Sequence, residues 1–223
     1  MKTLIPWAGV AVLVLALAGC KDKTGSATGE SGPDPARTDQ AGADTDTAGA
    51  GEAAASGSVD PGFEADGSAE NLKKFFVELQ GSIEKGDTAR AAALTRGVMP
   101  DEAALKKAFR DDAPADFPAK VLGMIERVMP RDDGKVAHML GVRPGWTEVL
   151  VHGATTEDIA SGAPAASEFP GGAKKMAETV LRPGMMFYEV ERREPGAERG
   201  NRLDLFFFDG SRWVMLGKLW RIQ

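Results

Sequence analysis

The sequence predicts an α+β fold for residues 71–223, with N-terminal helices packed on a mostly antiparallel, roughly five-stranded sheet. Two observations predict it. Apolar residues recur at helical spacing as far as Pro130, and after Asp132-Asp133-Gly134 short β-rich runs alternate with turn residues. Helices that precede the strands, rather than alternating with them, favour the α+β class over a parallel α/β sheet.

Four helices are predicted in the first half of this domain. Ser68 and Asp87 are suitable caps for the first two, and Gly97 ends the second. Pro100-Asp101-Glu102 begins a third, with proline and acidic residues in its first turn. A fourth ends before Pro130, because proline cannot continue a helix. Two shorter helical segments are predicted later, over residues 155–161 and 172–181.

Five strands are predicted in the second half. Arg143-Pro144-Gly145 joins the first two, and Asp209-Gly210 makes the last hairpin. Both faces of that hairpin are apolar, which predicts a sheet covered on both sides. Trp213 is accordingly predicted to be a core residue, with a binding surface as the alternative for the apolar residues of this hairpin. The five predicted strands are residues 136–142, 146–152, 185–193, 202–208 and 212–222.

The N-terminus predicts export and a lipid anchor. After Lys2, the apolar run of residues 4–18 is shorter than the ~20 residues of a membrane span, and its order is that of a signal peptide over residues 1–19. Leu17-Ala18-Gly19-Cys20 resembles the lipobox of bacterial lipoproteins. The resemblance implies diacylglycerol on the Cys20 thiol, cleavage after Gly19 and acylation of the new terminus. The alternative is an incidental cysteine, although this single cysteine has no disulfide partner within the chain.

Residues 20–70 are predicted to be the lipidated cysteine followed by a disordered acidic linker. Residues 21–70 hold three basic and eleven acidic residues and are rich in small and polar types, so they cannot bury enough apolar surface to order. About fifty residues of coil span roughly 35–42 Å. A binding motif hidden in the linker is the alternative. The remainder is nearly neutral, so no nucleic-acid partner is expected.

The order of elements over residues 71–223 is similar to that of nuclear-transport-factor-2-like and cystatin-like domains. Those folds wrap a sheet around a helix, and some members use the resulting cone as a pocket. The ending, with Asp209-Gly210-Ser211-Arg212-Trp213 and Lys218-Leu219-Trp220-Arg221, resembles endings of uncharacterised bacterial lipoproteins. This second resemblance implies no activity.

The sequence contains few candidates for metal-binding, cofactor-binding or pocket residues. His138 and His152 are the only histidines, and without a spaced third ligand they do not predict a metal site. Nucleophile-elbow, phosphate-loop and dinucleotide motifs are absent from the sequence, so no cofactor is expected. The pocket candidates are His138, His152, Tyr188 and Asp204. Asp204 lies between two leucines on a predicted strand, and its structural alternative is an ion pair with an arginine of a neighbouring strand or a position on an exposed face.

These observations predict a lipid-anchored protein of the bacterial envelope, with no catalytic residue assigned. Lys21 follows the lipidated cysteine, at the position where the inner-membrane retention signal of enterobacterial lipoproteins has Asp. By analogy this favours the outer membrane, with the domain in the periplasm or at the cell surface. The predicted role is a non-catalytic binding or scaffolding module for an envelope protein or a cell-wall component. Two alternatives remain open: a small-molecule-binding or isomerase-like pocket domain, and a structural spacer.

Overall fold

The structure is a computed structural model that describes residues 66–222. The predictions for the signal peptide, for Cys20 and for the linker up to residue 65 lie outside these residues. None of the helices in the described part combines the length and the apolar character needed to cross a membrane.

The described residues form an α+β domain, as predicted. Its helices are α1 (Ala69–Glu84), α2 (Thr88–Gly97), α3 (Glu102–Ala108), α4 (Phe117–Val128), α5 (Asp133–Ala137), α6 (Thr156–Ser161) and α7 (Gly171–Thr179). Its strands are β1 (Glu148–Thr155), β2 (Met186–Arg193), β3 (Asn201–Phe208) and β4 (Trp213–Met215), and short 3₁₀ turns occupy Pro164–Ala166 and Leu219–Arg221.

Polar caps set the starts of the first helices. The side chains of Ser68, Asp87 and Asp101 each accept a hydrogen bond from the backbone N–H three residues later, at 3.1, 3.0 and 2.8 Å respectively. These bonds satisfy N–H groups that a helix leaves without partners in its first turn. The predicted beginnings of α1, α2 and α3 are confirmed, and α4 ends at Val128, just before Met129 and Pro130.

The prediction of a strand over residues 136–142 is wrong, and the sheet in the described part has four strands rather than five. The Asp132 carboxylate accepts a hydrogen bond from the backbone N–H of Lys135 at 3.0 Å and begins the short helix α5. Val136 and Leu140, four residues apart, are both buried. That spacing fits a helical turn as well as a strand, and the cap decides for the helix.

The last predicted strand is too long. β4 comprises only Trp213–Met215, because Gly217 adopts a left-handed conformation with φ of +67° and turns the chain. The residues that follow enter the 3₁₀ turn Leu219–Arg221. The backbone N–H of Met215 also donates to Val98 O at 2.7 Å, so the loop after α2 meets this end of the sheet.

The four strands are antiparallel and lie in the order β1-β2-β3-β4. Successive side chains of a strand point to opposite faces, and in β3 Phe206 joins one core cluster while Phe207 joins another. The first cluster contains residues of α1, α2 and α5, and the second contains residues of α3, α4, α6 and α7. The prediction that both faces of the sheet are covered is therefore confirmed.

Candidate functional site

An irregularity in β3 brings Asp204 beside Glu189. Tyr188 pairs with Phe206 and Val190 pairs with Leu203, so Glu189 of β2 faces two residues of β3 instead of one. Leu205, the second of these, has φ of +56°, a conformation that L-residues adopt at a cost. The result is two adjacent carboxyl groups inside the domain: Glu189 is 1% exposed and Asp204 is 4% exposed.

The two carboxyl groups differ in the hydrogen-bond donors and charges that surround them. No donor in the described part reaches either carboxylate oxygen of Glu189. Burial, then the negative charge of Asp204, raise the pKa of Glu189 to about 8. Burial also raises the pKa of Asp204, but Lys218 opposes that shift, with its Nζ 3.8 Å from Asp204 Oδ2. Glu189 is therefore the member that keeps a proton at neutral pH.

His152 belongs to the same part of the sheet. It is the β1 register partner of Glu189, and partners in an antiparallel pair project their side chains to the same face. We call the set formed by His152, Glu189, Asp204 and Lys218 the titratable row. It crosses the sheet from β1 to the segment after β4, and His152 is its partly exposed member at the β1 edge.

The other two predicted site residues lie elsewhere. His138 is exposed at the end of α5. Tyr188 points to the opposite face from Glu189, its neighbour in β2, and its ring meets Trp213 edge-to-face with centroids 5.3 Å apart. The Tyr188 hydroxyl donates to Gly67 O at 2.8 Å, and burial raises its pKa. Tyr188 therefore attaches the start of α1 to the sheet.

Ion pairs flank the titratable row. The guanidinium of Arg202 lies 3.1 Å from a carboxylate oxygen of Glu191 and 2.7 Å from one of Glu168. It thereby connects β2 and β3 to the loop before α7. The predicted alternative of an arginine partner for Asp204 is not what the structure has: Arg202 pairs with Glu191, and the cation beside Asp204 is Lys218. Within residues 66–222, His, Cys, Asp and Glu side chains form no group of three suited to a metal ion.

A buried arginine on the other face was missed by the sequence reasoning. Arg192 is 0% exposed; its Nη2 donates to Gln80 Oε1 and, at 2.7 Å, to Trp146 O. Its guanidinium also lies 5.9 Å from the centroid of the Phe76 ring. Burial lowers its pKa to about 10. These contacts join α1, β2 and the loop before β1, which is a structural role.

Glu189 and Arg192 share one signal that sequence reasoning could have used. Both lie in β2, which has a strand on each side and helices over each face. Charged residues at interior positions of such a strand must be buried, whichever face they take. Recognising β2 as a central strand would therefore have identified both.

Residues of the described part line surface grooves, among them the following three. The groove between α3 and α4, of about 310 Å³, has an apolar floor and a rim of charges of both signs; we call it the α3–α4 groove. A second, of about 350 Å³, follows the outer side of α1, and a third, of about 790 Å³, follows α4 toward Ile222. None of the four predicted pocket residues lines any of these three. The α3–α4 groove is lined by Glu102, Leu105, Lys106, Phe109, Arg110, Asp111, Ala113, Pro114, Ala115 and Pro118.

Comparisons with known proteins give no match: no family model, no curated protein sequence and no solved structure corresponds to this chain.

Proposed function

We propose that this chain is a lipid-anchored protein of the bacterial envelope whose α+β domain is a non-catalytic binding or scaffolding module. In this proposal residues 1–19 are a signal peptide, and residues 20–70 carry the lipid on Cys20 and act as a flexible tether. The support is the lipobox-like Leu17-Ala18-Gly19-Cys20 and the acidic, apolar-poor composition that follows it. The anchoring membrane is proposed to be the outer one, with the domain in the periplasm or at the cell surface.

The observation that carries the binding role is the α3–α4 groove. Its floor includes Leu105 and Phe109, and Pro114 and Pro118 add apolar surface at its sides. Its volume of about 310 Å³ lies at the lower end of the range for ligand sites, which is enough for one or two side chains. The occupant that fits this shape and its mixed charged rim is an apolar anchor residue of a partner protein with charged neighbours.

Site-specific photo-cross-linking in intact cells tests this proposal. A photo-reactive residue at Lys106, on the groove rim, should cross-link to a discrete envelope protein. The matched control is Lys85, which is also exposed but follows α1 and lies outside the three grooves. Equal cross-linking from both positions, or none from Lys106, would count against the groove as the binding surface.

The second candidate is a small-molecule or isomerase-like site at the titratable row, where His152, Glu189 and Asp204 come together. It is favoured by the unusual proton affinity of Glu189, since perturbed carboxyl groups cluster at functional sites. It is disfavoured by burial, because a substrate would first have to displace the residues around Lys218. The proposed resemblance to nuclear-transport-factor-2-like and cystatin-like domains belongs to this second candidate, because some of those domains use the cone formed by their sheet as a pocket.

A further inference from the structure

We propose that the buried Glu189–Asp204 pair holds one shared proton and acts as a pH-sensitive latch for residues 216–222, which we call the C-terminal segment. The latch is closed while Glu189 is neutral and donates its proton to Asp204. It loosens as that proton is lost. This device concerns the conformation of the domain and does not depend on the proposed function.

The first support is the geometry of the pair. Two carboxyl groups are side by side at a bulge, and no donor in the described part of the chain reaches the oxygens of Glu189. Two adjacent buried carboxylates cannot both be ionised without a large electrostatic cost, so one proton stays between them. The left-handed Leu205 maintains the bulge that places them together.

The second support is the way in which the C-terminal segment is held. The backbone N–H of Gly217 donates to Asp204 O at 3.1 Å, and that of Leu216 donates to Leu205 O at 2.9 Å. Lys218 Nζ lies 3.8 Å from Asp204 Oδ2. Three consecutive residues of the segment thus contact the bulge, so a rearrangement of the acid pair acts directly on them.

The third support is what the segment covers. Leu219 is fully buried, and the ring of Trp220 lies so close to Gly172 of α7 that no side chain fits between them. Both belong to, or pack against, the core cluster on that face of the sheet. Release of the segment would therefore expose apolar surface on α7, and the latch would control access to it.

The charges that face the pair come from several elements. Arg202 on β3, together with Lys218 and Arg221 in the C-terminal segment, favours the ionised carboxylates, but burial outweighs these charges and the pKa of both groups is raised. Glu191 on β2 forms a 3.1 Å ion pair with Arg202 and so partly neutralises the charge that Arg202 presents to the acid pair. His152 on β1 faces Glu189 in register.

The direction of the response follows from linkage. Burial raises the pKa of Glu189 from 4.5 to about 8 in the closed state, whereas a solvated carboxyl returns to its ordinary value on opening. The closed state therefore binds the proton more tightly. As the pH rises from 4.5 to about 8, the open population grows by up to about tenfold per pH unit and then levels off.

Hydrogen exchange of the full chain in detergent micelles provides the test. After correction for intrinsic exchange rates, protection of the C-terminal segment should fall with pH in the wild type and level off near pH 8. In Glu189→Gln the amide donates permanently to Asp204, so protection should not depend on pH. His152→Gln is the matched control and should retain the wild-type response, because it leaves the acid pair intact.

Infrared spectroscopy of the wild type gives a second readout that needs no variant to fold. A band of a buried neutral carboxyl should be present at neutral pH and disappear as the pH passes about 8. The proposal is overturned if that band is missing, if wild-type protection is independent of pH, if Glu189→Gln keeps the wild-type response, or if His152→Gln abolishes it.

Discussion

Two neighbouring glycines at the start of α7 allow a controlled test of how the C-terminal segment is packed. A Cβ added at Gly172 would lie 2.5 Å from Cδ1 of Trp220 and closer still to Cγ and Cδ2, whereas a Cβ added at Gly171 would meet nothing within 4 Å. Cγ lies on the axis of the Cβ–Cγ bond, so rotation of the ring about that bond cannot clear the contact. Gly172→Ala must therefore displace the Trp220 side chain or the backbone around it.

The expected magnitude combines two opposing effects. Overpacking a well-packed site costs about 1–3 kcal/mol, and replacing a helical glycine by alanine returns up to about 1 kcal/mol. Because the second effect applies to both variants, Gly172→Ala should be about 1–3 kcal/mol less stable than Gly171→Ala, while Gly171→Ala should leave the free energy of unfolding unchanged or raise it slightly. For a domain of this size each 1 kcal/mol corresponds to about 2–4 °C in Tm.

Urea denaturation followed by far-ultraviolet circular dichroism measures both variants. Tryptophan fluorescence should in addition change in Gly172→Ala and stay constant in Gly171→Ala, because only the first displaces the indole of Trp220. If the two variants have equal stability, or if Gly172→Ala is the more stable, then the described packing of Trp220 on α7 is incorrect.

Four further predictions follow from the sequence and the structure. Trp213 is 4% exposed, and its replacement by alanine should lower the free energy of unfolding by about 3–5 kcal/mol and the melting temperature by about 6–20 °C; an unchanged melting curve would contradict the core assignment. Cys20→Ala should abolish incorporation of labelled palmitate, and equal incorporation would exclude lipidation at that residue. Arg212 donates to the backbone carbonyls of Gly97, the last residue of α2, and of Met99, and to Asp101 at 2.9 Å, so Arg212→Lys should cost about 1–3 kcal/mol in urea denaturation; no loss would contradict this clamp. Wild-type stability should fall by at most about 1.4 kcal/mol per pH unit between pH 4.5 and about 8 on account of Glu189, and a Glu189→Gln variant with the same slope would refute that assignment.

The candidate site could be predicted only in part. Asp204 stands out in the sequence because a charged residue lies between leucines, and His152 stands out because histidines are scarce. Their common neighbour Glu189 could not be identified, because its position depends on a bulge in β3 that shifts the register. Nothing local in the sequence marks that bulge, since Leu205 is an unusual residue for a left-handed conformation.

The sequence by itself determined the α+β class, the caps of the first helices and the apolar hairpin that lies inside the domain. These features depend on hydrophobic periodicity and on contacts between residues that are close in sequence, so a short stretch of sequence is enough to predict them. Only the tertiary structure decided that residues around Val136 form a helix, that β4 ends at Met215, and that Glu189 meets Asp204. In each case contacts between distant segments act together with a local feature such as the Asp132 cap or the Gly217 turn: Val136 and Leu140 pack in one core cluster with α1 and α2, and the backbone N–H of Met215 donates to Val98 O. Such contacts outweigh a local preference of a few tenths of a kcal/mol to about 1 kcal/mol per residue.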